Sequence, residues 1–426
     1  MAAVSETGKT QQATGALAFA VFVPFACGYF LSYVFRTVNS VLAPNLVADT
    51  GIDAADLGFL TSAFFLAFAL AQLPLGMALD RFGPRRVEAV LLVIAAAGSW
   101  LFATGESLAA LTVGRAMIGL GMSACMMAAF KAFVQWFPSR RLPLVNGCLL
   151  AVGGTGALAA TAPVEWLLAI TDWRTVFMAL VAACLAVSVA LVRIVPEHAE
   201  PPAHLGLRAQ VRGMATVFRD RYFWRLAPLT VVSQSAFLAT QGLWAGPWLR
   251  DVAGLERGAV ALHLMGLSIA VVAGFFLSGI VATRLTRRGI VPGTVAVGGM
   301  TAFALTQLGL AFAPADGVLV LWVLFGLFGT SGTIPYAALS QHFHGQLAGR
   351  ANTALNLLVF TGAFSVQWGM GGLLHLWEDP VTHTYAPGGY QLAFTSLVVL
   401  QAAALAWFVA GRRGAGAQSA AADYQR

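Results

Sequence analysis

The chain has 426 residues, of which 58% are hydrophobic and only 10% charged, with a formal net charge of +7. Soluble globular chains carry roughly 25% charged residues, so this composition excludes that class and points to an all-α, polytopic membrane protein. A spanning helix needs roughly 20 apolar residues. Twelve such runs follow one another, near 17–46, 55–80, 87–105, 109–136, 142–169, 173–195, 223–250, 258–284, 290–313, 317–341, 351–377 and 388–411. The residues before the first run are polar and small, and no short apolar segment with a small-residue cleavage site follows, so no removable signal peptide is expected. With both termini placed inside, 19 of the 25 Lys and Arg fall on the cytoplasmic side, three on the opposite side and three within apolar runs. That asymmetry explains the basic balance without a nucleic-acid partner, because basic short loops are retained inside.

The first run carries Arg36 within Tyr33-Val34-Phe35-Arg36-Thr37-Val38-Asn39-Ser40, with apolar residues on both sides. A guanidinium at such depth costs between ~2.5 and more than about 10 kcal/mol, depending on the scale, unless it meets a partner or a wet cavity. Asn39 and Ser40 lie one turn on and share its face. The functional reading is a fixed cation for an anionic substrate, since a guanidinium grips carboxylate or phosphate through two parallel hydrogen bonds. The competing reading is snorkelling to the outer interface, or an internal ion pair. The second run ends in the turn Gly76-Met77-Ala78-Leu79-Asp80-Arg81-Phe82-Gly83-Pro84-Arg85-Arg86. Its arginines place it on the cytoplasmic side. Gly83 and Pro84 break the helix, and Asp80 is free to accept hydrogen bonds from a helix end or to pair with an arginine.

This turn resembles the loop between helices two and three of the major facilitator superfamily, whose pattern is Gly-x-x-x-Asp-Arg-x-Gly-x-Arg-Arg or close to it. Gly76, Asp80, Arg81, Gly83, Arg85 and Arg86 all fit. The resemblance implies two pseudo-symmetric six-helix bundles around a central cavity and secondary active transport by alternating access. It assigns Asp80, Arg81 and Arg85 to conformational coupling. The stretch Arg36-x-x-Asn39-x-x-x-Ala43-Pro44 is similar to the first helix of organic-anion symporters within the superfamily. The fourth run, Leu111-x-x-x-Arg115-x-x-x-Gly119-Leu120-Gly121, resembles the superfamily's fourth-helix pattern. That likeness links Arg115 to coupling or proton transfer, against a purely structural pair.

Later in the fourth run Lys131 and Gln135 stand four apart and share a face. They are ligand contacts if that face lines the cavity; otherwise Lys131 snorkels to the inner headgroups. The fifth run holds Gly153-Gly154-Thr155-Gly156, Pro163 and Glu165. It lacks the Gly-Pro-x-x-Gly-Gly signature of many exporters in the superfamily. Glu165 is taken as the only carboxylate well inside an apolar run. It carries a proton if desolvated, and is merely solvated if it lies at the outer end. Trp173-Arg174-x-x-Phe177 resembles the start of the family's sixth helix and reads as an interfacial anchor.

The polar stretch 196–222 contains Pro196, Pro201 and Pro202 and separates six runs from six, so the expected organisation is 1–195, a cytoplasmic linker 196–222, and 223–426. The halves repeat weakly. At an offset of 203, Pro44, Leu46, Gly51, Gly76, Arg81 and Arg85 fall on Pro247, Leu249, Gly254, Gly279, Arg284 and Arg288. At 206, Asn146, Thr155, Gly156 and Ala157 fall on Asn352, Thr361, Gly362 and Ala363. Parallel six-helix repeats are a transporter signature. In the seventh run Gly242, Gly246 and Pro247 predict a bent or broken helix, with Gln241 and Trp244 as candidate ligand residues against core packing. The tenth run has a similar weak point at Gly329, Gly332 and Pro335 beside Tyr336, and the eleventh adds Asn352, Asn356 and Gln367.

No metal-ligand spacing, phosphate-binding loop or nucleophile elbow is found, so neither an enzyme nor a metal or other cofactor is expected. The four cysteines read as small packing residues. The reading is a monomeric, multi-pass carrier of the bacterial inner membrane with both termini cytoplasmic. It imports a small organic anion, a carboxylate, together with a proton; the alternative is proton-coupled efflux of drugs or metabolites. Arg36, Asn39, Lys131, Gln135, Gln241, Trp244, Tyr336 and Asn356 are the candidate substrate residues, and Asp80, Arg81, Arg85, Arg115 and Glu165 the candidate coupling residues.

Overall fold

A computed structural model describes residues 15–138, 141–197, 207–312, 317–343, 346–379 and 382–423. Twelve spanning helices are numbered α1–α12 here. In the first half α1 runs in two segments, Gly15–Thr37 and Asn39–Thr50. Then come α2 (Ala54–Phe82), α3 (Pro84–Thr104), α4 in two segments (Leu108–Met122, Cys125–Trp136), α5 in two (Leu142–Ala159, Ala162–Leu168) and α6 (Trp173–Ile194). A short helix, Leu207–Arg219, bridges to the second half. There α7 is built from Arg221–Ala239, a π-helical turn Thr240–Trp244 and Ala245–Asp251. It is followed by α8 (Arg257–Arg287), α9 (Pro292–Phe312), α10 (Val318–Gly329, a 3₁₀ turn Thr330–Thr333, then Ile334–His342), α11 (Gln346–His375) and α12 (Pro387–Asp423). Eleven of these helices contain a continuous stretch long and apolar enough to cross a membrane. The remaining run is α7, which its π turn interrupts.

Local chemistry sets the ends. Asp53, Ser107, Asp172 and Asp220 each accept a backbone N–H three residues on, capping α2, α4, α6 and α7. The Asp172 carboxyl, outside the apolar span, is held below the usual carboxylate range by the hydroxyl and backbone N–H of Thr175. Its contribution is therefore present above the ordinary carboxylate range and lost as pH falls through the lowered value. Asp172→Ala is expected to cost about 1 kcal/mol, read as a lower melting temperature in detergent at neutral pH, with the gap to wild type closing in acid. At Gly83 the chain turns with φ +78°, and Pro84 opens α3. Gly51 and Gly254, matched by the 203-residue offset, both adopt left-handed φ, +67° and +65°, after α1 and α7. The repeat is thus present in backbone conformation.

Small residues let helices close on one another. A Cβ on Gly119 of α4 would overlap the Phe64 backbone of α2. α3 lies between α4 and α6, and α9 packs on α12 and α10. With twelve passes, the outer ends of α1 and α12 share one face, here the terminal face. The bonds that join the halves cluster toward the other, far face. Glu378 accepts from the Ala54 N–H at 2.9 Å, His375 lies 3.5 Å from Asp53, and Arg257 meets both Glu165, at 3.1 Å, and the Asn45 amide oxygen, at 2.6 Å. In the same region Gly246 of α7 sits directly on the Ser40 carbonyl of α1, and Gly371 of α11 on Gly58 of α2.

Candidate functional site

Interruptions recur at matched positions in the two halves. α1 is interrupted at Val38 and α7 at Thr240–Trp244, positions related by the offset of 203. α4 is interrupted at Ser123–Ala124 and α10 at Thr330–Thr333, related by 206. The π turn brings Gly242 against the Arg36 carbonyl, where a Cβ would stand 3.1 Å from that oxygen. Irregular backbone at membrane depth is tolerated where it is buried in protein or lines a cavity.

Arg36 stands between the halves. Its guanidinium carbon lies 5.3 Å from the ring centre of Tyr33 (α1), 4.9 Å from Phe68 (α2) and 5.2 Å from Phe360 (α11). Phe68 and Phe360 themselves stack at 4.1 Å across the two bundles. The residue is half-buried, its Nε has no hydrogen-bond partner, and no carboxylate pairs with it among the described residues. Each ring contributes about 0.5–1 kcal/mol at an exposed site and about 2 or more when desolvated, so three rings offset much of the cost of an unpaired cation. Rings occupy the faces of a guanidinium; its five N–H donors lie in plane. The edges therefore remain open to a planar or tripodal oxyanion.

Polar atoms without partners lie at the π turn, which packs on the Arg36 carbonyl, and on α11 beside it. Gln241 Nε2 and Thr240 Oγ1 in the π turn, and Gln367 Oε1 on α11, are buried and unsatisfied. Gln367 Nε2 donates to Thr61 Oγ1 at 2.8 Å, tying α11 to α2. The Tyr336 hydroxyl donates to Asn356 Oδ1 at 3.2 Å on the α10–α11 side. Arg36, Gln241, Tyr336 and Asn356 from the sequence reading thus sit on the four helices α1, α7, α10 and α11.

Other expectations are corrected. Lys131 does not reach the cage: its ammonium meets Asp80 at 2.5 Å and the Leu79 carbonyl at 2.9 Å. Asp80 accordingly pairs with a lysine of α4, not with an arginine. Trp244 is fully buried and its N–H is donated to the Gln367 carbonyl at 3.1 Å, so it packs and does not face a ligand. Asn39 is buried among Leu42, Thr61, Phe102 and Trp173 within the first half. Gln135 is half-buried near the terminal end of α4. Arg81 is exposed against the Phe82 ring, while Arg85 donates to the Val192 carbonyl. Arg115 is fully buried, donates to the Phe35 carbonyl at 3.3 Å and lies over Phe64 and Phe102; it braces the backbone beside Arg36. Glu165 is half-buried in the far-face pair with Arg257.

Three features escaped the sequence reading. The rings of Phe68 and Phe360 come from runs distant from that of Arg36, and only their shared focus on Arg36, with Tyr33 beside it, gives them meaning. Thr61 carries no signal of its own. Glu88, within the third run, was not singled out, yet it is fully buried; Glu165 is not the only carboxylate inside an apolar run.

Comparison with known proteins agrees with this architecture. The chain is 26% identical over 274 residues to a protein of Cupriavidus necator named as a probable sulfoacetate transporter, a match spanning 61% of this chain and 64% of that protein's length. It is 23% identical over 319 residues to the cis,cis-muconate transport protein of Acinetobacter baylyi, spanning 72% and 76%. Among solved structures, a bacterial homologue of the human lysosomal transporter Spinster, inward-facing and occupied, superposes with a TM-score of 0.76 at 17% identity, covering 94% of this chain and 98% of that one. The family model described as the Major Facilitator Superfamily matches residues 25–367, and this chain belongs to that superfamily of membrane transporters, which are not enzymes.

Proposed function

We propose that the protein moves a small organic anion, a carboxylate or sulfonate, across the bacterial inner membrane by alternating access, with a proton as the coupling ion and the direction inward. The observation that carries this reading is Arg36: a cation at membrane depth, with aromatic faces and free edges and no acidic partner among the described residues. Aromatic walls suit the organic part of such a ligand, and the unsatisfied amide N–H of Gln241 suits its further oxygens. The names of the relatives, sulfoacetate and muconate transporters, support the same class of cargo. With both termini cytoplasmic, as the lysine and arginine distribution favours, the far-face bonds make this conformation closed to the periplasm.

The test is uptake into proteoliposomes of radiolabelled sulfoacetate, cis,cis-muconate and 4-hydroxybenzoate, with and without an inward proton gradient. Saturable uptake of at least one anion, accelerated by the gradient, is the expected result. No uptake of any organic anion, with uptake of amines or sugars instead, would overturn the reading.

A further inference from the structure

Glu88 is the carboxylate that the proposed function does not use. It lies in the first turns of α3, its side chain wholly enclosed, and neither oxygen has a hydrogen-bond partner. It presses on α1 at Gly28, where any Cβ would overlap Oε1, so the glycine makes room for the acid. From α4 the thiol of Cys125 faces it, and behind Cys125 stands the thiol of Cys184 on α6. Neither thiol supplies a charge. Arg85, one turn back on α3, is occupied by Val192 and Glu197, and Lys131 on α4 is occupied by Asp80. Tyr29 on α1 is turned to Met126, 3.8 Å away. An ionised carboxylate enclosed without partner costs several kcal/mol, so the neutral acid is the form this place can hold.

Helix α1 connects this acid to the cation. Gly28, Ser32 and Arg36 succeed one another at four-residue spacing and form one stripe. Gly28 touches Glu88; Ser32 is buried with its hydroxyl unpartnered; Arg36 ends the stripe in the aromatic cage. Any tilt of α1 that closes the cage over a ligand also moves the cover from Oε1.

We propose that Glu88 is the coupling-proton site, binding one proton for each monovalent anion that Arg36 binds. This rests on the transport reading above and deepens it. Charge balance in a low-dielectric interior enforces the pairing. Loaded, the anion neutralises Arg36 and the proton neutralises Glu88. Empty, with α1 tilted and water at Glu88, the Arg36 cation and the ionised Glu88 balance in net charge. A half-loaded carrier holds one uncompensated charge and does not close. Arg115 adds the same charge in every state and drops out of the comparison. On release, the carboxyl O–H bond breaks, its electron pair stays on the oxygen, and the proton passes to water entering beside Gly28.

Two measurements test this. Infrared spectra of the wild type in lipid vesicles at neutral pH with saturating 4-hydroxybenzoate are expected to contain a protonated-carboxyl C=O band that Glu88→Gln lacks; identical spectra overturn the proposal. If Glu88→Gln does not fold, Glu88→Asp makes the same comparison, with the band shifted. In proteoliposomes with the monoanion 4-hydroxybenzoate as probe, Glu88→Gln is expected to keep exchange of external for internal anion and to lose gradient-driven accumulation. Accumulation by Glu88→Gln equal to wild type removes Glu88 as the carrier while leaving coupled transport in place. Wild-type uptake that ignores the proton gradient instead overturns the coupled-transport reading, and the carrier role with it.

Discussion

Replacing Arg36 by alanine is expected to lower organic-anion uptake by roughly 100-fold or more, while the purified variant melts at or slightly above the wild-type temperature. The two halves of this result have separate causes. A hydrogen bond to a charged group contributes about 1.5–3 kcal/mol, and a carboxylate or sulfonate engaging two guanidinium edges uses at least two of them, so the loss in binding is about 3 kcal/mol or more. Stability moves the other way because the unliganded protein holds Arg36 without an acidic partner among the described residues; truncation removes a desolvated charge and orphans no carboxylate. The rings of Phe68 and Phe360 still stack on each other at 4.1 Å after truncation. Arg36→Lys separates charge from shape: it keeps the cation, loses the flat fork, and should recover only part of the affinity. Uptake kinetics and melting curves on the three proteins check the prediction, and normal uptake by Arg36→Ala would remove the anion site from α1.

The second large effect is expected at Gly246. A Cβ there would overlap the Ser40 carbonyl of α1. Gly246 lies on α7 and Ser40 on α1, so the clash falls between the halves and leaves each bundle's own packing intact. Overpacking of this kind costs about 1–3 kcal/mol. Because the cost applies only to the arrangement closed at the far face, it acts as a bias of roughly 5- to 150-fold toward the opposite arrangement. Gly246→Ala should therefore remain folded, transport slowly, and show longer far-face separations. Spin labels at Ile170 and Leu376, both exposed there on opposite halves, give the distance directly. An unchanged distance distribution together with full transport would mean that the Gly246–Ser40 approach does not limit closure.

Much of the architecture was legible in the residues. Runs of apolar residues delimited the helices, because composition and length alone decide what crosses a bilayer. The weak points of α7 and α10 were visible in Gly242, Gly246 and Pro247, and in Gly329, Gly332 and Pro335. The π turn and the 3₁₀ turn fall beside them, though one turn before Pro247 and just before Pro335. The interruptions of α1 at Val38 and α4 at Ser123–Ala124 carry no such punctuation and were not foreseen. Depth was readable and facing was not. Arg36, Arg115 and Lys131 read alike as charges within apolar runs, and tertiary packing alone divides them into a caged cation, a backbone brace and an ion pair with Asp80. Trp244 misled for a related reason: a large ring beside a helix break looks the same whether it meets a ligand or, as here, the Gln367 backbone. Glu88 stands two residues after the turn's last arginine, and its sequence neighbours do not show that it is enclosed.

The shared interruptions of α1, α4, α7 and α10 also say where the molecule flexes. A helix whose hydrogen-bond ladder is already irregular bends there more cheaply than an intact one. Four ready-made hinges thus stand at positions that match between the halves, two in each half. α3 and α6, and their counterparts α9 and α12, run without such breaks and pack pairwise on the periphery. The outer pairs serve as stiff rails against the lipid, and engulfing a small cargo becomes an inner flexing that the outer shell need not follow.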